Sequence, residues 1–438
     1  MKDVTTVSAD TQPSGKSRPS PSKCNTHTRV QRFNMSPKPV STERGQGQLL
    51  VSRSFLNYNK RAIPKVLRET GLVIKKILVV IGTRPEAIKM APLIVALRAE
   101  AWAEVRVLVT AQHRELLDQV SKLFDINPDI DLNIMRANQS LTGLTSRLLS
   151  ELDEVLLREN PDAVLVQGDT TTVMSVSLAC FYHHIPIGHV EAGLRTWDMQ
   201  NPFPEEANRV ITSHLARWHF APTEQSRQNL LKEGVRDESI AVTGNTVIDA
   251  LLWTARKNVP IGIDLDPSLR LVLVTSHRRE NFGEPFLTIC LALRSLAQNN
   301  LGVQFLFPVH PNPNIKMVAH DILTGLPNFI LCEPLEYGQF VSAMKNSYIV
   351  LTDSGGVQEE APALGKPVLV FRDETERPEA LQHGVVKLVG ANYKKITVET
   401  QRLLDSPSAY REMARGLSPY GDGHAADRIV KKLRMELL

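Results

Sequence analysis

The sequence predicts an α/β protein built from two doubly wound, Rossmann-like domains that face each other across a cleft. From Lys75 onward, short β-branched runs alternate with helical stretches, and these runs are apolar almost throughout. Alternating strands and helices are typical of βαβ units with a parallel sheet, and continuously apolar strands indicate sheets covered on both faces. A stretch containing proline and glycine, at 256–267, separates the strands into two series and indicates an interdomain linker.

The predicted strands follow one another in these two series. The first domain, 73–255, has predicted strands at 76–81, 105–110, 162–167, 186–190 and 240–243. The second domain, 268–415, has predicted strands at 271–275, 303–309, 328–332, 348–352, 367–371 and 385–389. Residues 416–438 are expected to form a C-terminal helix that packs back on the first domain.

Length and composition agree with two soluble domains. The chain has 438 residues, of which 42% are hydrophobic and 22% charged. No apolar run approaches the roughly 18 residues that a membrane-spanning helix needs, so we expect a cytoplasmic protein with no membrane partner. The four cysteines are far apart and lack the spacing of metal ligands, which argues against a metal site.

Residues 1–72 differ from the rest of the chain. They contain thirteen Lys and Arg against four Asp and Glu, and they are poor in apolar residues until Leu49. Such a segment cannot bury enough surface to offset its ordering entropy, and we predict a disordered basic extension. A transit peptide and a translation start near Val73 are the alternatives. The remaining residues are slightly acidic, which argues against a nucleic-acid partner.

Charged side chains follow the first-domain strands at their carboxyl ends, where open α/β sheets bind ligands. Arg84 follows the first strand and Lys89 lies one turn into the next helix, so both can reach one anion. Asp169 and Glu191 directly follow two later strands, and Glu205 begins a later helix. Each alone has a plain alternative as a surface residue or a helix-start acid. Their coincidence at one edge favours a site.

A glycine turn follows a strand of the second domain. Ser354, Gly355 and Gly356 stand between a strand and a helix, where backbone N–H groups and the helix dipole can bind a diphosphate. An ordinary tight turn is the alternative. Glu360, one helical turn later, is placed to accept hydrogen bonds from a ribose diol. Neither domain carries GxGxxG after its first strand, which disfavours a nicotinamide dehydrogenase.

Three further polar residues follow strands of the second domain. His277 comes after its first strand, His310 after its second and Arg377 beyond its fifth. His310 stands beside two prolines, and it is equally consistent with a residue that caps its strand. Together with the glycine turn, these residues predict a charged edge that faces the charged edge of the first domain.

Taken together, the motifs closely resemble those of the bacterial non-hydrolysing UDP-N-acetylglucosamine 2-epimerases. They are GTRPEAIKMAPL at 82–93, TAQHRELLDQV at 110–120, QGDTTT at 167–172, GHVEAGLRT at 188–196, PFPEEANR at 202–209, TGNTVIDALL at 243–252, SHRRENFG at 276–283, PVHPNP at 308–313, LTDSGGVQEEAPALGKPVLVFRDETERPEA at 351–380 and PYGDG at 419–423. The resemblance extends over 73–438. It implies a glycosyltransferase-B-like fold, a homodimer, and catalysis without a metal or a nicotinamide cofactor.

The resemblance also implies a reaction, the reversible epimerisation of UDP-N-acetylglucosamine at C2. The C2 proton leaves with UDP to give 2-acetamidoglucal, and UDP adds again after a proton reaches the opposite face, which requires two acid/base groups. By resemblance, Asp169, Glu191 and Glu205 are the carboxylates around the sugar, and His277 contacts the diphosphate or assists the departure of UDP. Which carboxylate serves which face stays open. The product would supply surface polysaccharide precursors.

The remaining site residues are likewise implied by the resemblance. Those expected to bind substrate are Arg84, Lys89, Phe340, Ser354, Gly355, Gly356, Glu360 and Arg377. Those expected at an allosteric substrate site are Gln112, His113, Arg278 and His310. Leu335 and Asn138 depart from some family members, which carry glutamine and arginine there. The alternatives are a hydrolysing 2-epimerase, a glycosyltransferase on the same fold and a non-catalytic sugar-nucleotide sensor.

Overall fold

The computed structural model of the chain describes residues 73–110, 120, 122–134, 139–375 and 377–438. The predicted basic extension at 1–72 lies outside the described residues, and so do Gln112, His113 and Asn138. The predictions made for these residues therefore stay predictions. The predicted domain boundaries stay predictions as well.

A seven-stranded parallel sheet forms the first half of the fold. Its strands are β1 (Lys75–Ile81), β2 (Ala103–Val109), β3 (Ile130–Asp131), β4 (Ala163–Gln167), β5 (Ile187–Val190), β6 (Trp218–Ala221) and β7 (Ile240–Val242). The helices here are α1 (Arg84–Arg98), α2 (Leu141–Glu159), α3 (Thr171–Tyr182), α4 (Glu205–Leu215), α5 (Glu224–Lys232) and α6 (Thr246–Arg256). The strand order is β3-β2-β1-β4-β5-β6-β7. The winding direction changes between β1 and β4, which opens a crevice beyond their carboxyl ends.

A six-stranded parallel sheet forms the second half. Its strands are β8 (Arg270–Thr275), β9 (Val303–Pro308), β10 (Phe329–Cys332), β11 (Ile349–Thr352), β12 (Val368–Val370) and β13 (Val386–Leu388). Its helices are α7 (Glu284–Asn299), α8 (Pro313–Leu323), α9 (Tyr337–Asn346), α10 (Gly355–Ala363), α11 (Pro378–Gln382), α12 (Tyr393–Asp405) and α13 (Pro407–Met413). The order β10-β9-β8-β11-β12-β13 places this sheet's change of direction between β8 and β11.

Both sheets are covered on both faces, which explains why their strands are apolar without alternation. Along β1, Ile77 and Val79 enter one core cluster while Leu78 enters another, because successive side chains point to opposite faces. In β8, Val272 and Leu273 divide in the same way. The predicted fold class, two doubly wound parallel sheets, is thereby confirmed.

The last helix of the chain, α14 (Ala425–Leu437), packs on the first half. Its apolar face, with Ile429 and Leu433 fully buried, joins the cluster formed by Ala91 of α1 and Leu251 of α6. Asp249 of α6 accepts hydrogen bonds from the first backbone N–H groups of α14, at 3.2 and 2.9 Å. The last segment of the sequence therefore helps to hold α1, which carries residues of the candidate site.

The predicted strands all occur, but two strands were missed. β3 has two residues, which is too short to give a pattern. β6 reads WHFA, and its histidine interrupts the apolar run although His219 is 2% exposed. Among the described helices, none has the length and apolar character needed to cross a membrane.

Gly193 allows a close backbone contact just after β5. Its φ is +92°, and a Cβ atom there would lie 2.3 Å from the backbone oxygen of Ser226 in α5. The amide of Asn229, also in α5, donates to the Gly193 carbonyl at 3.0 Å. Because Glu191 lies two residues earlier, this contact fixes the strand end that carries it.

Substituting Gly193 by alanine should destabilise the protein strongly. Left-handed backbone costs a non-glycine residue about 1–2 kcal/mol, and the contact with Ser226 adds about 1–3 kcal/mol. Gly234→Ala is the matched control, since Gly234 has φ +85° and nothing within 4 Å of its Cβ position. Free energies of unfolding from urea titrations should fall more for Gly193→Ala; equal losses would contradict the steric argument.

Candidate active site

A cavity of about 510 Å³ lies where the changes of direction of the two sheets meet. Most of the residues predicted to bind substrate line it, together with two of the predicted histidines. These residues are Arg84, Lys89, His277, His310, Phe340, Ser354, Gly356, Glu360 and Arg377. Positively charged side chains therefore enter the cavity from both halves, as an anionic ligand requires.

The first-half wall is the start of α1. The Thr83 hydroxyl accepts from the Glu86 backbone N–H at 3.4 Å, and the Glu86 carboxylate caps in return, which is a capping box. Pro85 stands in the first turn, where its missing N–H has no cost. This start fixes the directions in which Arg84 and Lys89 leave the helix. Burial lowers the pKa of Arg84, against the opposing effect of Glu336.

Glu86 is a buried carboxyl group behind that wall. Its Oε2 accepts the Gly82 N–H at 2.5 Å, while its Oε1 has no hydrogen-bond partner among the described residues. Burial raises the pKa of Glu86 to about 7, although hydrogen bonds from Gly82 and Thr170 oppose the shift. Burial thus favours the protonated form of Glu86 more than that of an exposed glutamate.

The second-half wall is the glycine turn at the start of α10. Ser354 is the N-cap residue and its side chain makes no capping hydrogen bond. The first N–H groups of the helix therefore have no partner from the cap side chain, and they stand at the positive end of the helix dipole beside the cavity that Ser354 and Gly356 line. A Cβ atom on Gly355 would lie 2.6 Å from Nη1 of Arg377. Glycine at 355 thus leaves room for the Arg377 guanidinium beside the turn.

Asp353 anchors a second loop to this turn. It is 0% exposed, and its carboxylate accepts from Ser276 Oγ at 2.8 Å and from the backbone N–H of Arg278 at 3.0 Å. The His277 N–H also donates to it, at 3.0 Å, as does the Asn281 amide. One buried carboxylate therefore holds the loop after β8 against the loop after β11.

Glu191 has the most elaborate surroundings of the predicted carboxylates. Lys89 Nζ lies 2.7 and 2.6 Å from its two oxygens, the Asn245 amide donates at 2.9 Å, and Gln167 donates as well. Burial raises the pKa of Glu191, but Lys89, Arg377 and Asn245 more than offset it, so the pKa is lowered overall. Glu191 is held ionised.

Asp169 lies in a different environment, at the carboxyl end of β4. Arg209 Nη2 donates to its Oδ2 at 2.5 Å, and Asn208 holds its backbone carbonyl at 3.0 Å. Burial raises the pKa of Asp169, and Glu191 and Glu205 add to that shift against the effect of Arg209. Neighbouring carboxylates thus have pKa values that move in opposite directions.

Glu205 and Glu206 begin α4 and have separate tasks. Glu206 is 1% exposed and accepts from the backbone N–H groups of Thr196 and Trp197 at 3.1 Å. It therefore fixes the loop before the helix. Glu205 is half-buried and close enough to Asp169 to affect its pKa.

His277 and His310 stack at the cavity wall, with ring centroids 6.1 Å apart. Partial burial lowers the pKa of His277, although Asp353, at 3.4 Å from its Nδ1, acts in the opposite direction. Burial thus favours the neutral form of the His277 ring. Arg278, also predicted for an allosteric site, follows it, and its backbone N–H is bound by Asp353.

One end of the cavity combines apolar side chains with a carboxyl group and a tyrosine hydroxyl. Phe340 and Leu335 line it, and Tyr337 OH donates to Glu360 Oε1 at 3.1 Å. Burial raises the pKa of Glu360 to about 7, with Tyr337 opposing the shift. A flat ring beside Phe340 and a hydroxyl pair beside Glu360 would suit this end.

The structure separates the predicted residues into two groups. The predicted substrate-binding residues line the cavity or, like Gly355, support its wall. Asp169, Glu191 and Glu205 are not among its lining residues, and Glu191 is connected to the cavity through Lys89. In the described ranges, no group of three or more His, Cys, Asp or Glu side chains could hold a metal ion.

Sequence reasoning missed four residues of the site. They are Gln167, Asn245, Asp353 and Glu359, all buried. Asp353 and Gln167 stand at strand ends, which is the pattern that identified Asp169, and the same rule could have found them. Asn245 is a helix N-cap and Glu359 lies in the middle of a helix, and no local pattern separates them from an ordinary cap and an ordinary helix residue.

A family model and two known proteins with similar sequences share one description. A sequence model of the family described as UDP-N-acetylglucosamine 2-epimerase matches residues 95–434. The UDP-N-acetylglucosamine 2-epimerase of Yersinia pestis is 56% identical over 370 residues, which are 82% of this chain and 98% of that protein. The protein of the same description from Escherichia coli K12 is 53% identical, over 82% of this chain and 98% of its own.

Solved structures agree with the sequence comparisons. The UDP-GlcNAc 2-epimerase from Neisseria meningitidis bound to UDP-GlcNAc has a TM-score of 0.76 and 49% identity, over 82% of this chain and 100% of that chain. A kitacinnamycin glycosyltransferase, 10% identical with a TM-score of 0.55 over 82% of this chain and 99% of its own, shares the fold alone.

Substitution of Glu86 by glutamine should change how stability depends on pH. The pKa of Glu86 is about 7 against its ordinary 4.5, so the folded protein binds more protons and loses stability as pH rises from about 5 to 8. A shift of this size corresponds to about 3 kcal/mol. Relative to wild type, Glu86→Gln should therefore gain stability over that range.

Urea unfolding at several pH values between about 5 and 8 measures this difference. Glu104→Gln is the control, since Glu104 is an exposed glutamate of β2. A stability difference between Glu86→Gln and wild type that stays constant with pH would mean that Glu86 is ionised throughout.

Proposed function

The chain belongs to the UDP-N-acetylglucosamine 2-epimerase family, and on that premise we propose that it interconverts UDP-N-acetylglucosamine and UDP-N-acetylmannosamine. The reaction is reversible inversion at C2 of the sugar, by loss of UDP to 2-acetamidoglucal and its addition again. The observation that carries this proposal is the position of Lys89, which lines the cavity and pairs with Glu191 at 2.6 Å. One side chain thereby connects an anion site to a buried carboxylate.

Release of UDP requires stabilisation of the departing diphosphate. Arg84 and Lys89 approach from the first half, and Arg377 and the helix start at Ser354 approach from the second. Positive groups that are already placed where negative charge develops stabilise a transition state without reorganisation. The ring of His277 is placed to donate a hydrogen bond to the same diphosphate.

Proton transfer at C2 requires one group that accepts a proton and one that supplies it. Lys89 and its neighbours lower the pKa of Glu191, whereas burial raises that of Asp169. Environments that move two pKa values apart assign such roles. In the free protein Glu191 is the ionised acceptor and Asp169 the group that more readily holds a proton. Reversal of the reaction exchanges these roles, and Glu205 completes the carboxylate group.

The uridine end of the substrate is proposed to occupy the end of the cavity that Phe340 and Leu335 line. Phe340 would contact the uracil ring, and Glu360 would accept from the ribose hydroxyls. Leu335 lines the cavity here, so a side-chain hydrogen bond to the uracil is replaced by apolar contact. The family resemblance further supports a homodimer and a role in supplying surface polysaccharide precursors, and we propose on the sequence pattern a cytoplasmic location and no nucleic-acid partner.

Proton NMR of UDP-N-acetylglucosamine with the purified protein in deuterated water tests the proposed reaction. We expect UDP-N-acetylmannosamine to appear with deuterium at C2, because the proton returned to C2 comes from a group that exchanges with solvent. UDP should not accumulate in step with substrate loss. If it does, with free N-acetylmannosamine as the sugar product, the protein is a hydrolysing enzyme. Absence of any C2 exchange without an added acceptor points to a glycosyltransferase.

Neutral variants of the carboxylates test their roles in the same assay. Asp169→Asn, Glu191→Gln and Glu205→Gln should each lower the rate of deuterium incorporation at C2 by about a hundredfold or more. Asp162→Asn is the matched control, because Asp162 stands at the opposite end of the β4 strand and accepts from the Lys76 N–H at 2.8 Å. Wild-type incorporation in all three test variants would exclude the proposed roles.

A further inference from the structure

Five side chains form a continuous buried chain of hydrogen bonds and ion pairs from the first half to the second. In order, they are Lys89, Glu191, Asn245, Glu359 and Arg377. The three in the middle are more than nine-tenths buried, and the two cations at its ends line the cavity. At the centre of this hydrogen-bonded series, the neutral amide of Asn245 lies between the carboxylates of Glu191 and Glu359.

Every polar atom of Asn245 is used. Its backbone N–H donates to the Tyr420 carbonyl at 2.6 Å, and its side-chain oxygen accepts from the Val247 N–H at 3.1 Å as the N-cap of α6. Its Nδ2 donates to Glu191 Oε1 at 2.9 Å and to Glu359 Oε2 at 2.8 Å. The cap bond settles which way the amide faces, and both remaining N–H groups meet carboxylates.

The choice of asparagine is informative because other residues cap helices equally well. Serine, threonine, aspartate and asparagine all supply an acceptor at an N-cap. Of these, only asparagine supplies an acceptor for the cap and two further N–H donors at the same time. The second task, and not the cap, therefore selects this residue type.

Both carboxylates bound by Asn245 also pair with cations that face the cavity, and Glu191 accepts from the Gln167 amide as well. Lys89 pairs with Glu191, and Arg377 Nε donates to Glu359 Oε1 at 2.6 Å. A diphosphate in the cavity competes for both cations. The Asn245 amide cannot leave in the same way, because Asn245 is 2% exposed and is not itself among the residues that line the cavity.

We propose that Asn245 is a positioning residue for the epimerisation. It holds the Glu191 carboxylate ionised and aligned while Lys89 and Arg377 interact with the diphosphate. This inference rests on the proposed function. By donating to Glu359 as well, Asn245 fixes the orientation of Glu191 relative to the glycine turn of the second half. It touches neither substrate nor reacting atoms.

Several other charged or titratable groups face Glu191 from the packed elements. They are Lys89 of α1, Asp169 after β4, His189 of β5, Glu359 of α10 and Arg377 before α11. His189 is buried, which lowers its pKa to about 3 and keeps it neutral. The other four groups are present in wild type and in Asn245 variants alike. A change in the pH profile on substitution of Asn245 therefore reports the loss of its amide.

Asn245→Ser and Asn245→Asp distinguish positioning from capping. Both replacements preserve an N-cap acceptor, but serine cannot bridge two carboxylates and aspartate adds a third negative charge between them. We expect Asn245→Ser to lower kcat for C2 deuterium incorporation by about tenfold to a hundredfold, and Asn245→Asp to lower it further. UDP affinity of Asn245→Ser, measured calorimetrically, should stay within about threefold of wild type, since Lys89, Arg377 and the glycine turn are all retained.

The pH profile gives a readout that a structural cap would not move. Removing a donor from ionised Glu191 raises its pKa, so the acid limb of kcat/KM should move upward by about one pH unit in Asn245→Ser. Thermal unfolding verifies that the variant is folded, and if Asn245→Asp fails to fold, Asn245→Ser carries the test. If Asn245→Ser has wild-type kcat and an unmoved acid limb of kcat/KM, the inference about Asn245 is wrong and the proposed function is unaffected. If the wild-type protein shows no C2 exchange, the proposed function itself is wrong, and the inference that rests on it is wrong as well.

Discussion

Lys89 and Glu191 form an ion pair whose carboxylate is almost fully removed from water, and the rest of the site is arranged around it. A buried ion pair recovers its desolvation cost only when the remaining hydrogen-bonding positions are also satisfied. Gln167 and Asn245 satisfy them here. Because Lys89 comes from α1 and Glu191 from the end of β5, the pair also fixes a helix to a strand end.

The sequence was sufficient for the fold because burial on both faces of a parallel sheet leaves an unbroken apolar pattern. β1 and β8 show it clearly, and all of their apolar residues are buried. β6 escaped prediction because a polar residue, His219, is buried there through a hydrogen bond to the Ser213 carbonyl at 2.9 Å. That partner lies in another element and leaves no trace in the local pattern.

The candidate site could be predicted in part for the same physical reason. Residues after strand ends, such as Asp169 and His277, are located by topology alone. Asn245 could not be identified, since its role depends on two carboxylates that are distant in sequence, Glu191 and Glu359. Nor could sequence reveal that Asp169, Glu191 and Glu205 are not among the residues that line the cavity, because that depends on how far each side chain projects from its element.

The anchoring of two loops by Asp353 has a consequence for ligand affinity. A loop that is free in the unliganded protein loses conformational entropy on binding, and this loss reduces affinity. The loop carrying His277 is instead ordered during folding, by hydrogen bonds to a carboxylate that is 0% exposed. His277 and the glycine turn are therefore already held in fixed relative positions when a ligand binds. In thermodynamic terms, preorganisation has moved the entropic cost from each catalytic turnover to the single event of folding.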